Sequence, residues 1–371
     1  MHSLLITGGA GFIGSNFAIY WAAKYPDDRL VVLDALTYAG NKANLAVVDT
    51  LESYRFVHGD IGDQALVKSL MLDEKTDLLV HFAAESHVDR SIHEPDAFIQ
   101  TNVLGTHNLL KVAREVWLER DDAPSWHRFQ HVSTDEVYGT LGPDDPAFTE
   151  TTPYAPNSPY AASKAASDHL VRAYHHTFGL QVSTSNCSNN YGPYQFPEKL
   201  IPLMIVNALT GKPMPVYGDG SNIRDWLYVD DHCRGIDLVI KKGAIGETYN
   251  IGGNNEWSNI DIVKQICTHI DNIFAADSEL RHTFPQAPAA NGKPTESLIT
   301  YVKDRLGHDW RYAIDATRAT NELEYEPVET FESGLRRTLQ WMLDNESWWR
   351  AVTDGSYRDW IAKNYAGGES P

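Results

Sequence analysis

Short apolar runs alternate with longer stretches of helical pattern through the first half of the chain. Each run is too short for a core helix and ends in glycine or polar residues, as buried strands of a parallel sheet do. Strands that alternate with helices in this way predict an α/β fold built on a doubly wound parallel sheet. The predicted strands are residues 4–7, 30–33, 54–58, 78–83, 128–132, 181–186 and 248–251, and a long helix is predicted over 101–119.

The alternation breaks after residue 186, where turn-rich segments flank an apolar helix predicted over 200–209. We therefore expect a smaller mixed α/β domain that closes over the sheet and binds the substrate. Residues 277–297, rich in Ala, Pro, Asn and Gly, predict an exposed insertion without a core of its own. The predicted division is a sheet domain at 1–188, to which 226–253 returns, a second domain at 189–225 and 254–345, and a C-terminal helix and tail at 346–371.

The overall charge and composition exclude several classes of partner. A formal charge of −19 argues against nucleic acid and anionic membranes as general partners. No apolar run approaches the ~20 residues that a membrane span needs, and we expect no signal peptide before the first strand. Three distant cysteines and scattered histidines match neither a disulfide framework nor a metal site, so we expect a cytoplasmic protein without a metal.

A glycine-rich turn joins the first predicted strand to a helix. Its glycines, Gly8, Gly11 and Gly14, have the spacing G-x-x-G-x-x-G, which lets the backbone approach a pyrophosphate at a helix N-terminus. The second strand is followed by Asp34, twenty residues after Gly14, where a carboxylate hydrogen-bonds ribose hydroxyls and favours NAD over NADP. The alternative is a glycine turn without a ligand. We predict a Rossmann sheet that binds NAD.

A tyrosine–lysine pair is the second candidate feature. Removal of hydride from an alcohol needs a base for the hydroxyl proton, and a tyrosine can serve when a nearby cation lowers its pKa. Three tyrosines have a lysine four residues later, so the spacing alone does not decide between them. Tyr20 lies well along the first helix, and Tyr38 lies in a loop. Tyr160, with Lys164, opens a helix rich in small residues and is therefore our choice.

A hydroxyl and two adjacent carboxylates follow the fifth predicted strand. Because open α/β sheets place their chemistry at the carboxyl ends of strands, Thr134, Asp135 and Glu136 are candidate catalytic residues. Ser133 and Glu136 also match a helix capping box, in which both side chains only satisfy backbone N–H groups. The predicted NAD site and Tyr160, 26 residues after Thr134, favour catalysis. Ser133 could still cap a turn beside such a site.

With these motifs the chain resembles the extended short-chain dehydrogenase/reductases that act on nucleotide sugars. Longer matches resemble the dTDP-glucose 4,6-dehydratase family in particular, and they span nearly the whole chain. The departures are Leu306 in place of a usual proline, Gln195 in place of a common histidine, and the unfamiliar segment 277–297. The matching segments are residues 83–91, 133–139, 186–194, 196–202, 224–229 and 304–309.

The resemblance implies an NAD-dependent hydro-lyase that converts dTDP-glucose to dTDP-4-keto-6-deoxyglucose. Tyr160 takes the proton of the sugar 4-hydroxyl as hydride leaves C4, and Thr134 hydrogen-bonds the C4 oxygen. Glu136 then removes the C5 proton, Asp135 protonates the departing 6-hydroxyl, hydride returns to C6, and C5 is reprotonated. One of the two carboxyls must hold a proton near neutral pH for this division. A 4-epimerase, another nucleotide-sugar 4,6-dehydratase and an NAD-dependent scaffold are the alternatives.

The resemblance also implies binding residues and a homodimer built from a four-helix contact of residues 101–119 and 160–178. Lys199 and Arg224 make physical sense against a diphosphate on so acidic a protein. The implied NAD site comprises Gly8, Gly11, Phe12, Ile13, Gly14, Asp34, Leu36, Thr37, Asp60, Ile61, Ala83, Ala84, Ser86, Thr101, Tyr160, Lys164 and Asn190. The implied substrate site comprises Ser86, Thr134, Asn189, Lys199, Leu200, Pro215, Tyr217, Arg224, Asn259, Arg305 and His308.

Overall fold

The computed structural model, described over residues 1–304 and 307–353, is built on a seven-stranded parallel sheet. The strand order is β10-β6-β5-β4-β1-β2-β3, and helices cover both faces. This confirms the predicted doubly wound α/β fold. The strands of this sheet are β1 (Ser3–Thr7), β2 (Arg29–Asp34), β3 (Tyr54–His58), β4 (Leu78–His81), β5 (Arg128–Thr134), β6 (Val182–Cys187) and β10 (Thr248–Ile251).

The helix predicted over 200–209 is observed at Leu200–Thr210, whereas the other predicted helix differs at its start. The helix predicted over 101–119 begins as a π-helix at Ile99–Gly105 and becomes α-helical only from Thr106. In the π-helical part, the Asn102 side chain bonds both the backbone N–H and the carbonyl of Glu85. The α-helices are α1 (Phe12–Lys24), α2 (Gln64–Asp73), α3 (Val88–His93), α4 (Pro95–Phe98), α5 (Thr106–Leu118), α6 (Pro159–Phe178), α7 (Leu200–Thr210), α8 (Val229–Lys242), α9 (Asn259–Ala276), α10 (Glu279–Thr283), α11 (Thr317–Leu323), α12 (Phe331–Asp344) and α13 (Glu346–Val352).

Two smaller sheets lie outside the large one and share a separate apolar core with α7, α9, α12 and α13. One has the order β11-β9-β7, and the other pairs β12 with β8. The domain division stays a prediction, and the parallel pairing of β10 with β6 supports the return of 226–253 to the large sheet. These strands are β7 (Asn189–Tyr191), β8 (Met214–Tyr217), β9 (Ile223–Tyr228), β11 (Glu256–Ser258) and β12 (Ile299–Val302).

Residues 277–297 are mostly exposed, as their composition predicts, but a few of their side chains enter a core. Phe284 is 2% exposed and Ala287 is fully buried, and both belong to the apolar core of the smaller sheets. The Phe284 ring stacks on Trp349 with ring centroids 6.4 Å apart. Most of the segment is thus exposed and has no core of its own, as predicted, while the buried residues Phe284, Ala287, Pro288 and Thr295 anchor it to the rest of the protein. Among the described residues, every helix is too short or too polar to cross a bilayer.

Candidate active site

The glycine turn after β1 is packed backbone against backbone. Gly8 has φ +71°, and a Cβ there would lie 2.5 Å from the backbone nitrogen of Ala83. A Cβ on Gly14 would lie 2.3 Å from the Gly8 carbonyl oxygen. A Cβ on Gly11 would meet only that oxygen, at 3.3 Å, and α1 starts at the next residue without a side-chain cap among the described residues. The turn therefore presents an open backbone cradle at a helix N-terminus, as a pyrophosphate needs.

Asp34 closes one end of this cradle. Its two carboxylate oxygens accept hydrogen bonds from the backbone N–H groups of Ala10, at 2.9 Å, and Leu36, at 2.8 Å. Burial raises the pKa of Asp34, and these two hydrogen bonds oppose the rise. The carboxylate is thus fixed in orientation at the carboxyl end of β2. Leu36 contributes its backbone to this arrangement, with φ +50°, while its side chain lies outside the cleft lining.

The N-cap of the turn after β5 is not the residue that the capping-box alternative predicts. Thr134, not Ser133, is the N-cap of the 3₁₀ turn Asp135–Tyr138, and its hydroxyl accepts from the Glu136 N–H at 3.3 Å. The Ser133 hydroxyl instead donates to the Asp168 carboxylate at 2.9 Å. The capping box is therefore not formed, because Ser133 is committed to a neighbour on α6.

The two adjacent carboxyls differ in environment. Asp135 is 1% exposed, and within the described residues its Oδ2 has no hydrogen-bond partner. Burial, followed by the charges of Glu136 and Asp225, raises the pKa of Asp135 well above its usual value, against a smaller opposing effect of Arg224. A buried carboxyl that resists ionisation beside a second carboxyl is an arrangement that suits a general acid.

Tyr160 and Lys164 lie at the start of α6, in the same cleft as Asp135. Burial and the nearby Glu136 charge raise the pKa of Tyr160 well above its usual value. The Lys164 ammonium donates to the Val132 carbonyl at 2.9 Å, and burial lowers its pKa. The pKa of Tyr160 in this structure thus departs in the direction opposite to the one expected for a base, because burial and the charge of Glu136 outweigh the hydrogen bond with Thr134, which lowers it.

Behind this pair, Asp168 collects hydrogen bonds in the buried interior. It accepts from the Ser133 hydroxyl at 2.9 Å and the Tyr154 hydroxyl at 3.0 Å, and it contacts His131 Nε2 at 3.0 Å. Burial raises its pKa to about 6, and the charge of Lys164, one helical turn earlier, opposes the rise. Asp168 therefore ties the end of β5 to the helix that carries Tyr160.

The other two tyrosine–lysine pairs are placed elsewhere. The Tyr20 hydroxyl donates to Asp237 at 2.8 Å, and the Lys24 ammonium contacts the same carboxylate at 2.6 Å. Tyr38 lines the cleft, while Lys42 begins a 3₁₀ turn outside its lining. Of the three pairs, the one at 160 and 164 has both side chains in the cleft.

One cleft at the carboxyl edge of the large sheet contains most of the predicted binding residues. All the NAD-site residues implied by the sequence line it except Leu36. Of the implied substrate residues, Ser86, Thr134, Asn189 and Lys199 line it. Arg305 lies outside the described residues. The remaining substrate residues lie outside the cleft lining, namely Leu200, Pro215, Tyr217, Arg224, Asn259 and His308.

Arg224 lies near the cleft without facing it. Its guanidinium donates to the carbonyl oxygens of Ile223 at 2.7 Å and Asp309 at 2.9 Å, and it packs 4.2 Å from the centre of the Tyr312 ring. Tyr217 and His308 form a second group outside the cleft lining, with ring centres 6.2 Å apart. Arg224, Tyr217 and His308 thus lie outside the lining of the cleft that contains Lys199.

Sequence reasoning missed several residues that line the cleft. Tyr38 was considered only as a base, whereas Glu85, Phe196 and Glu198 were not considered as site residues at all. The signal was present, because Glu85 lies inside the matching segment 83–91 and the other two lie inside 196–202. Which of those residues point inward depends on contacts between distant parts of the chain.

Comparisons with known proteins agree on one family. The family model described as GDP-mannose 4,6 dehydratase matches residues 5–338. A dTDP-glucose 4,6-dehydratase of Xanthomonas campestris pv. campestris (strain B100) is 56% identical over 359 residues, covering 96% of this chain and 98% of the relative. The chain belongs to the dTDP-glucose 4,6-dehydratase family. A Neisseria meningitidis relative with the same name is 53% identical over the same length.

Solved structures of this family share the fold. DesIV, a dTDP-glucose 4,6-dehydratase from Streptomyces venezuelae solved with NAD and TYD bound, has a TM-score of 0.82 and 47% identity and covers 94% of this chain and 99% of its own. A UDP-glucuronic acid 4-epimerase from Bacillus cereus is also similar, with a TM-score of 0.77, 25% identity, and 92% and 99% coverage. The identity to the dehydratase is thus nearly twice that to the epimerase, although the folds agree about equally.

Proposed function

We propose that the protein is an NAD-dependent dTDP-glucose 4,6-dehydratase that releases dTDP-4-keto-6-deoxyglucose and water. The observation that carries the proposal is the meeting of three features in one cleft. These are the glycine cradle, the Tyr160–Lys164 pair, and adjacent carboxyls of which Asp135 is buried and resists ionisation. Family membership supports the same reaction, since relatives that carry this name are 50–56% identical over nearly the whole chain.

NAD fits the residues present. The open backbone at Gly11 would take the pyrophosphate, and the fixed carboxylate of Asp34 would take the ribose hydroxyls. When bound, NAD supplies a hydride acceptor for the first step and a hydride donor for the last. Thr101, in the π-helix, lines the same cleft.

The side chains divide the proton transfers among them. Tyr160 removes the 4-hydroxyl proton, and Thr134 holds the C4 oxygen. A cation within ~4–6 Å of a phenol lowers its pKa, and Lys164, one helical turn after Tyr160, is the cation that this helix offers. Once C4 is a ketone, the C5 proton becomes acidic, so Glu136 can remove it. Asp135, which keeps its proton because it is buried, can then deliver that proton to the departing 6-hydroxyl.

Product analysis tests this proposal directly. The purified protein is incubated with dTDP-glucose, and the sugar nucleotide is followed by mass spectrometry and NMR. We expect loss of one water and a 4-keto-6-deoxy sugar without any added reductant. An isomer of unchanged mass would indicate a 4-epimerase, and an unchanged substrate would refute an enzymatic role on this sugar. UDP-glucose in a parallel reaction tests the preference for the thymine base.

The family resemblance and the surface together favour a cytoplasmic homodimer. Four large apolar side chains are exposed on the helical segments 99–118 and 159–178, namely Ile99, Leu104, Leu118 and Phe178, each at least 36% exposed. Exposed apolar side chains mark protein contacts when they form a contiguous patch, and the proposed dimer requires these four to do so. We expect Leu104→Lys to shift the sedimentation coefficient from dimer to monomer. A wild-type protein that sediments as a monomer at micromolar concentration would contradict the dimer.

The three cysteines are buried and unpaired, which fits a reducing compartment.

A further inference from the structure

Side chains from three separate segments meet at the wall of the cleft. Tyr38 lies on the loop after β2, four residues beyond Asp34, and Arg90 lies on α3. Glu198 lies just before α7, in the part of the chain that joins the smaller sheets. The Arg90 guanidinium lies 3.7 Å from the centre of the Tyr38 ring, and its Nε lies 3.7 Å from Glu198 Oε2. The Phe196 ring meets the Tyr38 ring edge-on at 5.9 Å.

Glu198 is the buried centre of this cluster, whereas the Arg90 side chain is 30% exposed. The Glu198 side chain is 1% exposed, and it forms a hydrogen bond with Tyr38. Burial raises the pKa of Glu198 to about 7, and the charges of Lys199 and Arg90 oppose the rise. His87 Nε2 also approaches the Glu198 carboxylate, at 3.8 Å. The cluster therefore pairs a buried carboxyl with a partly exposed guanidinium, which the cofactor fold alone does not require.

The cluster also retains capacity for a ligand. Within the described residues, neither Arg90 Nε nor Glu198 Oε2 has a hydrogen-bond partner, although both atoms are buried. Buried polar atoms without partners are costly, so a ligand that completes them gains binding energy. Tyr38 and Glu198 line the same cleft as Gly11 and Asp34. The ligand nearest to them is thus the dinucleotide, beside its ribose.

We propose that Tyr38, Arg90 and Glu198 form a clasp that bridges the two parts of the chain and retains bound NAD from one turnover to the next. The inference rests on the proposed function, because a cofactor that is regenerated in every cycle has no need to leave. The clasp joins the loop that follows the ribose-binding strand to the segment that leads into α7. Opening it requires separation of the Arg90–Glu198 pair and of the Tyr38 ring from its two neighbours.

The rate of NAD release from the holoenzyme tests the clasp. Protein purified with its NAD is diluted into buffer containing an NAD-consuming trap, and the NAD that remains bound is quantified by chromatography over time. We expect Arg90→Gln and Glu198→Gln to release NAD at least about tenfold faster than wild type, since each removes a charge-assisted contact. Tyr38→Phe keeps the ring and removes only the hydroxyl, so we expect a smaller acceleration.

A second group of arginine, tyrosine and glutamate, outside the cleft lining, provides a matched control. Arg337 packs 4.7 Å from the Tyr228 ring centre and pairs with Glu329 at 2.6 Å, which repeats the chemistry of the clasp away from the cleft. Arg337→Gln should leave the release rate unchanged. The double variant Arg90→Gln/Glu198→Gln should release NAD about as fast as the faster single variant, because the two side chains act as one unit.

The outcomes separate this inference from the proposed function. If wild type converts dTDP-glucose but the clasp variants release NAD at the wild-type rate, the clasp is overturned and the function stands. Multiplicative effects in the double variant would also overturn it, since the residues would then act independently. Turnover by Arg90→Gln should rise when NAD is added, whereas wild-type turnover should not. If wild type fails to convert dTDP-glucose at all, the proposed function fails first.

Discussion

Replacement of Gly14 by alanine should weaken NAD binding without unfolding the protein. The new Cβ would lie 2.3 Å from the Gly8 carbonyl oxygen and 2.8 Å from the Gly9 Cα. Ordinary contact begins at 3.4 Å, so the oxygen would have to retreat by about 1.1 Å, the difference between 3.4 and 2.3 Å. Gly8 cannot retreat freely, because its own Cα already lies against the backbone of Ala83.

The magnitude follows from the cost of overpacking, which is typically about 1–3 kcal/mol. If the turn relaxes by abandoning the cradle, that energy appears as lost affinity, and the dissociation constant for NAD should rise roughly 5- to 150-fold. The assay is equilibrium dialysis of NAD-depleted protein against labelled NAD, with thermal unfolding measured in parallel. We expect most of the effect in the dissociation constant.

Gly179→Ala is the control for this prediction. Gly179 ends α6 with φ +78°, and a Cβ there would have no atom within 4 Å. Alanine in that conformation costs roughly 1 kcal/mol of stability, which should lower the unfolding temperature but leave NAD affinity unchanged. If Gly14→Ala binds NAD as tightly as wild type, the close-packed cradle is not the cofactor site and the reasoning is refuted.

Two further variants test the chemistry and the buried network. Glu136→Gln should oxidise C4, visible as bound NADH absorbance, yet stall before water loss; normal product formation would remove Glu136 from its role. Burial raises the pKa of Asp168 to about 6 from its ordinary value of 3.8, so the folded state holds this proton more tightly than the unfolded chain. The contribution of Asp168 to stability therefore falls as pH rises from about 4 to 6. Urea unfolding of Asp168→Asn should lack this fall, and an unchanged pH slope would contradict the assignment.

The sequence predicted the large sheet well because several of its strands, such as β1, β2 and β4, are buried and apolar. Such strands are continuous apolar runs with clear ends, and each of the seven predicted runs overlaps an observed strand. The glycine cradle and Asp34 were also predictable from sequence, because a single turn and the strand that follows determine their positions. Local signals of this kind depend on few long-range contacts.

Features that depend on distant contacts were less predictable. Ser133 looked like a cap, but its hydroxyl is taken by Asp168, which lies 35 residues later on a helix packed against the strand. Phe284 sits in a segment of exposed composition, and only the packing of α9 and α13 buries it. Four of the five strands in the smaller sheets carry no clear alternation, because three or four residues are too few to display one.

The clasp shows the same limit at the site itself. Tyr38 and Arg90 become neighbours only when the loop after β2 and the helix α3 fold against each other, and Glu198 reaches them from the other part of the chain. Motifs indicated that these segments matter, and the structure was needed to say which side chains meet.

The central claim is that hydride leaves C4 and returns to C6 of the same sugar. Substrate carrying deuterium at C4 is converted with protein that holds only its own NAD, and the product is examined by NMR and mass spectrometry. If hydride is transferred from C4 to C6 as proposed, the deuterium reappears at C6 of a 4-keto-6-deoxy product. Deuterium that returns to C4 with inverted configuration, or that is lost to solvent, would contradict it.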